Sequence, residues 1–383
     1  MTVRQPLWWS VGLMAAGIMA DHTWPSALYL PAACLILLLA TLMQILHRGR
    51  GWWLLLFWAA FGAAHMHMED TLPNPTQHVW QTVQARAKQQ NDAITARLQQ
   101  AGLHSDARAI VPALLLGRRE EVTSDTRQAY SSSGAAHLLA LSGLHLGILY
   151  GLLHLLVLRR LRHSQWRWFA LPPLLLLVWG YVLLAGMPLS LVRAAVMCTA
   201  VMIATLAHRA LSPMHALALS AWVILAVSPG SLFSLSGQLS FLAVLFILAA
   251  RPQRVGGHKR QNRIVQGIVV SAAAWLGTAP LAAYHFHTLP LLAIPLSMLL
   301  IPLTTLIVYL SLALALIPAA PLASALNLLA TLQNHVVSCC ASLPGATVGH
   351  LHPQAWQVAA VYILLLLALV RLEAHREQKS FPM

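Results

Sequence analysis

Between Gln128 and Leu372 the chain contains no aspartate and no glutamate. That stretch is a succession of apolar runs separated by short turns, several of them rich in arginine. Backbone polar groups inside hydrocarbon must be satisfied within the protein, so runs of this length enter a bilayer as helices. With 383 residues, 58% apolar and 9% charged, and a mean hydropathy of +0.68, the chain groups with polytopic membrane proteins. The missing acids also narrow function. Cation-coupled carriers usually hold a carboxylate at membrane depth, so its absence counts against them, although histidine relays stay open. It suits a path for a polyanion, where a fixed carboxylate would repel phosphates. A plain apolar bundle would show the same absence.

Three apolar segments open the chain, Leu7 to Ala20, Ala27 to Leu46 and Trp52 to Met68. The first lacks a small-residue cleavage signature and reads as a span. The long polar stretch from Glu69 to Arg108 follows, with Val79, Val83, Ala87, Ile94 and Leu98 at helical spacing. It predicts an amphipathic helix on the membrane surface, with an interruption expected at Asn91. Ala109 to Gly117 is too short to span and reads as interfacial or re-entrant. Further spans are expected to begin near Gly134, Trp168, Met187, His215, Gln238, Ile264, Leu291, Leu322 and Ala355. Breaks are expected at Pro188, at Pro229 with Gly230, and at Pro280, Pro295 and Pro302, since proline lacks the amide that an inner helical turn uses. The fold expected is an all-α polytopic membrane protein. It is a bundle of about twelve transmembrane or half-membrane helices with one periplasmic amphipathic segment. Its parts would be a three-helix membrane segment (1–68), an external amphipathic and interfacial segment (69–133) and a transmembrane channel domain (134–383).

The net charge of +14 follows largely from topology. If Arg4 is cytoplasmic, so are His47 to Arg50, the loop with Arg159, Arg160, Arg162 and Arg167, Arg209, the Arg251 to Arg263 loop and the tail after Arg371. These short basic loops fit the positive-inside rule and put both termini in the cytoplasm. Residues 69–133, 185–193, 229–237 and 284–290 then fall outside.

Polar residues inside the apolar runs are the candidates for function. In SSSGAAHLLALSGLHLGILY, Ser131 to Tyr150, Ser142 and His145 stand three apart and share a helix face. His137 lies two turns earlier on an unbroken helix. Polar groups at this depth are costly unless they face protein or water, so the helix is expected to line something. Close packing at Ser142 and Gly143, with the histidines bonded to backbone, accounts for the pattern equally well. Arg193 is a guanidinium within an apolar run, placed by Pro188 near a helix start, where an anion is favoured. A snorkelling arginine is the alternative. Gln238 and Ser240 follow a turn with Pro229 and Gly230; they either contact a substrate or tie helices together.

The run LLLGRREEVTSDTRQAYSSSGAAHLLALSGLHLGIL, Leu114 to Leu149, resembles the signature of the ComEC competence-channel family. Three downstream runs match in order: MPLSLVRAAVMCTAVMIA from Met187, QLSFLAVL from Gln238 and TAPLAAYHFHTLP from Thr278. The resemblance implies a multi-pass channel in the bacterial inner membrane that passes single-stranded DNA into the cytoplasm during transformation. It implies a path past His137, Ser142, Gly143, His145, Arg193, Gln238 and Ser240. Partners would be membrane lipid and separate DNA-receptor, motor and nuclease proteins. The family pattern also has an arginine at the Arg193 position. It has an aromatic residue beside the glycine before Gln238, where this chain has Ser236 and Gly237, and an asparagine near Ser297. Long members carry an oligonucleotide-binding-type domain and a metallo-β-lactamase-like domain. Neither fits between Met68 and Arg108 or after the last span, so nuclease activity is not carried over.

Other chemistries are weaker. His65, His67, Glu69 and Asp70 superficially resemble a metal-ligand run but lack a strand-loop context. The histidines of Tyr284 to His287 sit at a helix end, as in an interfacial aromatic belt. Cys34, Cys198, Cys339 and Cys340 lack CxxC spacing and read as small buried hydrophobes. No phosphate-binding loop of the Gly-x-x-x-x-Gly-Lys type is present, so ATP hydrolysis is not expected. No cofactor, no metal and no catalytic residue is expected. The alternatives are a transporter or flippase for another anionic substrate, and an intramembrane enzyme with His137 or His145 as base.

Overall fold

The computed structural model describes residues 6–23, 62, 77–161, 167–250 and 263–380. The second opening segment, the third apart from Gly62, Cys34, His65, His67, Glu69, Asp70 and most of the Arg251 to Arg263 loop lie outside the described residues. The described chain is almost entirely helical, with one two-stranded ribbon. The helices are α1 (Pro6–Thr23), α2 (Gln77–Gln100), α3 (Ser105–Leu116), α4 (Ser124–Ser132), α5 (Ala136–Leu139) and α6 (Gly143–Leu153). They continue as α7 (Leu171–Leu184), α8 (Leu189–Leu206), α9 (Pro213–Val227), α10 (Leu235–Ala250), α11 (Arg263–Phe286), α12 (Ala293–Leu316), α13 (Ala320–Ala341) and α14 (Ala355–Ser380). Among the described residues three segments are long and apolar enough to cross a membrane: Leu189–Leu206, Ile264–Phe286 and Ala293–Leu316. Five shorter apolar helical segments accompany them.

The chain forms two compact units. One comprises residues 1–87, 149–183 and 187–238. In it Met14 and Ile18 of α1 are buried with Leu225 of α9, and the Trp179 indole on α7 donates to Thr199 Oγ1 on α8 at 3.1 Å.

The other unit comprises residues 88–148, 184–186 and 239–383. Its core is built on α12 and α13, an antiparallel pair joined by only three residues, with α3 packed along both. Ala107, Ile110, Val111, Ala113 and Leu114 of α3 are fully buried. A 12-residue helix buried this completely fits the re-entrant form of the expectation rather than the interfacial one. At one end of the pair, β1 (Leu289–Pro290) pairs antiparallel with β2 (Thr347–Val348). The Thr347 hydroxyl donates to the Ser132 carbonyl there. Gly134 approaches so closely that a Cβ would stand 2.6 Å from that of Ala293. Its φ of +86° also favours glycine.

Several expectations about breaks are corrected. Helix α2 runs through Asn91 without interruption. Asn91 is buried and its amide donates to the carbonyls of Leu184 at 2.8 Å and Leu116 at 3.3 Å. It sits on the buried stripe and anchors the helix instead of ending it. Pro280 lies inside α11, Pro302 inside α12 and Pro295 in the first turn of α12. Pro188 and Pro229 do mark boundaries, as the N-cap of α8 and the first residue of a 3-10 turn. Span starts fall within a few residues of those expected, except that the span expected near Gly134 begins at Gly143. Cys339 is exposed rather than buried.

Candidate functional site

The segment bearing the two central histidines is not one helix. Helix α5 ends after Leu139, Ala140 is extended with φ −81° and ψ 124°, and α6 begins at Gly143. The two-turn relation of His137 to His145 therefore does not hold. His137 is exposed, with Nδ1 3.1 Å from the Gly134 carbonyl. Ser142 and Gly143 instead form the start of α6. The Ser142 hydroxyl accepts from Leu144 N–H at 3.3 Å, and His145 N–H donates to the Ser142 carbonyl at 3.1 Å. Serine before a helix meets amides that have no partner within it.

His145 is buried, with 1% of its surface exposed. Its Nδ1 lies 3.3 Å from both the backbone N–H and the hydroxyl of Ser142. The amide can only donate, so Nδ1 accepts and the neutral ring carries its proton on Nε2. Among the described residues nothing accepts from that Nε2. A buried donor left without an acceptor costs about 1–3 kcal/mol and calls for a reason. Ser142 thus orients the ring so that one N–H remains available to an acceptor.

The break has a partner that sequence reasoning missed. Arg119 Nε donates to the Leu139 carbonyl at 2.9 Å, taking an acceptor that the end of α5 leaves open. Arg127 in turn donates to the Arg119 carbonyl. Burial, with the like charge of Arg127 adding to it, lowers the Arg119 pKa from its ordinary value. Gly117 caps α3 in the left-handed region, with φ +77° and N–H bonded to Ala113 O. A Cβ on it would stand 2.7 Å from Leu141 Cδ1. The signal for this pairing was the spacing of Gly117 and Arg119 ahead of an apolar run, which has no period to betray it.

A second missed feature is a buried polar chain in the same unit. The Tyr130 hydroxyl donates to Asn334 Oδ1 and accepts from Gln333 Nε2, both at 3.0 Å. Thr304 Oγ1 donates to Gln333 Oε1 at 3.2 Å. Ser297 spends its hydroxyl on the Ala293 carbonyl of its own helix, at 2.5 Å.

The expected path residues divide between the units: His137, Ser142, Gly143, His145 and Ser240 belong to one, Arg193 and Gln238 to the other. Of these, Ser142 and His145 are brought into contact. Arg193, at the start of the second turn of α8, is 4% exposed, so it is buried rather than snorkelling. Gln238 donates from Nε2 to the Leu232 carbonyl at 2.9 Å, which ties α10 to the preceding turn. Ser240 is half-buried on α10. His287 and His352 rings stand 4.6 Å apart. Among the described residues no three metal-ligating side chains gather.

ComE operon protein 3 of Bacillus subtilis (strain 168) is 35% identical over 204 residues, 53% of this chain and 25% of that protein. The chain therefore spans about a quarter of the length of the curated relative it matches. No solved structure matches. The family model described as Competence protein matches residues 114–375, which begins at the α3 end that packs on the break and runs into α14. With more than half of its length matched, the chain belongs to the competence protein family.

Proposed function

We propose that this chain is a component of an inner-membrane channel that carries a single strand of DNA into the cytoplasm during natural transformation. The observation that supports it best is the broken segment from Ala136 to Leu153, which buries a His145 N–H that finds no acceptor among the described residues. Bases and phosphates are acceptors, and a passing strand supplies them in turn. The acid-free stretch from Gln128 to Leu372 leaves no carboxylate there to repel the phosphates. Arg193, buried near the start of α8 in the other unit, is a cation of the kind that suits a polyanion. On this reading the chain transports and does not catalyse. A receptor delivers DNA from outside, a cytoplasmic motor pulls the strand and a separate nuclease removes its complement. Both termini lie in the cytoplasm.

The test is transformation of a strain carrying His145→Gln or Ser142→Ala. Glutamine keeps a donor and similar size but has no nitrogen at the Nδ1 position to accept from Ser142, so its N–H is no longer aimed. Both variants are expected in the membrane at normal amounts. Transformation is expected to fall at least about tenfold, equivalent to roughly 1.4 kcal/mol on a limiting barrier. Normal transformation in both reduces the motif to a packing device.

A further inference from the structure

Asn327 lies in the second turn of α13 and holds two backbone groups of another segment. Its Nδ2 donates to the Gly102 carbonyl and its Oδ1 accepts from His104 N–H, both at 3.0 Å. Gly102 to His104 is the turn between α2 and α3. Non-helical backbone at membrane depth is tolerated where protein satisfies it, and Asn327 does so here.

The position of that clamp along the α12–α13 pair fixes a depth. At 1.5 Å per residue Asn327 is about 10 Å from the start of α13, while α12 is about 35 Å long. Gly134 touches Ala293, the first residue of α12, at the far end of the same antiparallel pair. The Gly102–His104 turn and Gly134 are therefore separated by about 25 Å along the pair, against a hydrocarbon core of about 30 Å. Helix α3 is 12 residues long, about 18 Å, which cannot span. Its far end, Leu116 and Gly117, returns to Leu141 and the Asn91 amide.

We propose that Lys88 to Leu116 is a re-entrant hairpin, based on the face that holds Gly134, whose tip at Gly102–His104 passes the midplane and whose exposed basic flank lines a water-filled passage for a phosphate backbone. Arg97, Gln100, His104 and Arg108 are exposed along its arms close to the tip. An arginine open to hydrocarbon at that depth is strongly disfavoured, so this flank faces water. Of the hairpin's two acids, Asp92 near the base is engaged by Arg118, and Asp106 is half-buried in the first turn of α3, two residues before Arg108. At the tip a cleft of about 380 Å³ is lined by Gly102, His104, Ser324 and Asn327. The proposal moves the tip of the 69–133 segment away from the outer surface. Its ligand rests on the DNA-transport reading; the insertion does not.

Single cysteines at His104, Gln128 and Pro318, in a background with the native cysteines replaced by serine, report the insertion. A membrane-impermeant thiol reagent is applied to intact spheroplasts and to inverted vesicles. His104→Cys is expected to react faster from the side that modifies Pro318→Cys, and Gln128→Cys from the other. Reaction of His104→Cys from the side of Gln128→Cys overturns the hairpin, whether or not DNA passes. Arg97→Gln with Arg108→Gln is expected to lower transformation severalfold with the labelling pattern intact. Normal transformation overturns the lining.

Discussion

Two helical regions of the protein depart from regularity in opposite ways. Helices α11 and α12 carry Pro280 and Pro302 in their interiors and stay continuous. The segment from Ala136 to Leu153 carries no proline and is broken at Ala140 to Ser142. Proline removes one amide, and the carbonyl four residues earlier is left open. In α11 side chains serve the carbonyls around that point: Thr278 Oγ1, on the same helix, donates to Ala274 O at 2.9 Å, and the Tyr362 hydroxyl of α14 to Gly277 O at 3.0 Å. A full break opens several carbonyls and amides at once, and each needs a partner. Arg119 supplies one and Ser142, within the break, another, while Gly134, ahead of α5, lets the chain come close to the start of α12. A helix in a membrane breaks where partners for its ends are in place; the local residue alone does not decide.

The largest effect in this comparison is expected at Gly134. Gly134→Val puts a β-branched residue at φ +86° and a Cβ inside the contact distance of Ala293. The left-handed conformation costs about 1–2 kcal/mol and overpacking about 1–3 kcal/mol. The variant is expected to be nearly absent from membranes on immunoblots. Normal accumulation would show that Gly134 does not hold the break against α12.

Arg119→Ala comes next. It leaves the Leu139 carbonyl without its donor, an expected loss of about 1–3 kcal/mol in thermal unfolding in detergent. A compact Lys in place of the planar guanidinium does not restore the reach and geometry of Nε, so Arg119→Lys is expected to recover only part. Full stability in Arg119→Ala would mean that the end of α5 is satisfied without it.

How much of this was legible in the sequence follows the same division. Helix starts at Leu189, Pro213, Arg263 and Ala355 were read within a few residues, because hydropathy and Pro punctuation act locally. The Ser142–His145 contact was read from a spacing of three, since a cap and the first turn reach that far. Asn91, Arg119 and Asn327 were not, although each is a polar residue doing for a distant carbonyl what a helix end requires. Their partners lie 93, 20 and 225 residues away. No periodicity carries information over that distance. The continuity of α2 through Asn91 was missed for the same reason: an asparagine reads as a helix interruption until its tertiary acceptors are known.

The smallest effect is also the cleanest test of the contrast. Pro280→Ala returns an amide to the Leu276 carbonyl and is expected to change stability by less than about 1 kcal/mol. Tyr362→Phe removes the hydroxyl that serves the neighbouring Gly277 carbonyl and is expected to cost about 0.5–1.5 kcal/mol. If Tyr362 compensates for the proline, the two losses are not independent. The phenylalanine variant should then cost less when alanine stands at 280, with a coupling of at least about 0.5 kcal/mol in a double-mutant cycle of thermal unfolding. Equal costs in both backgrounds would make Tyr362 an ordinary tie between α11 and α14, and the continuity of α11 through Pro280 would then rest on helix packing alone.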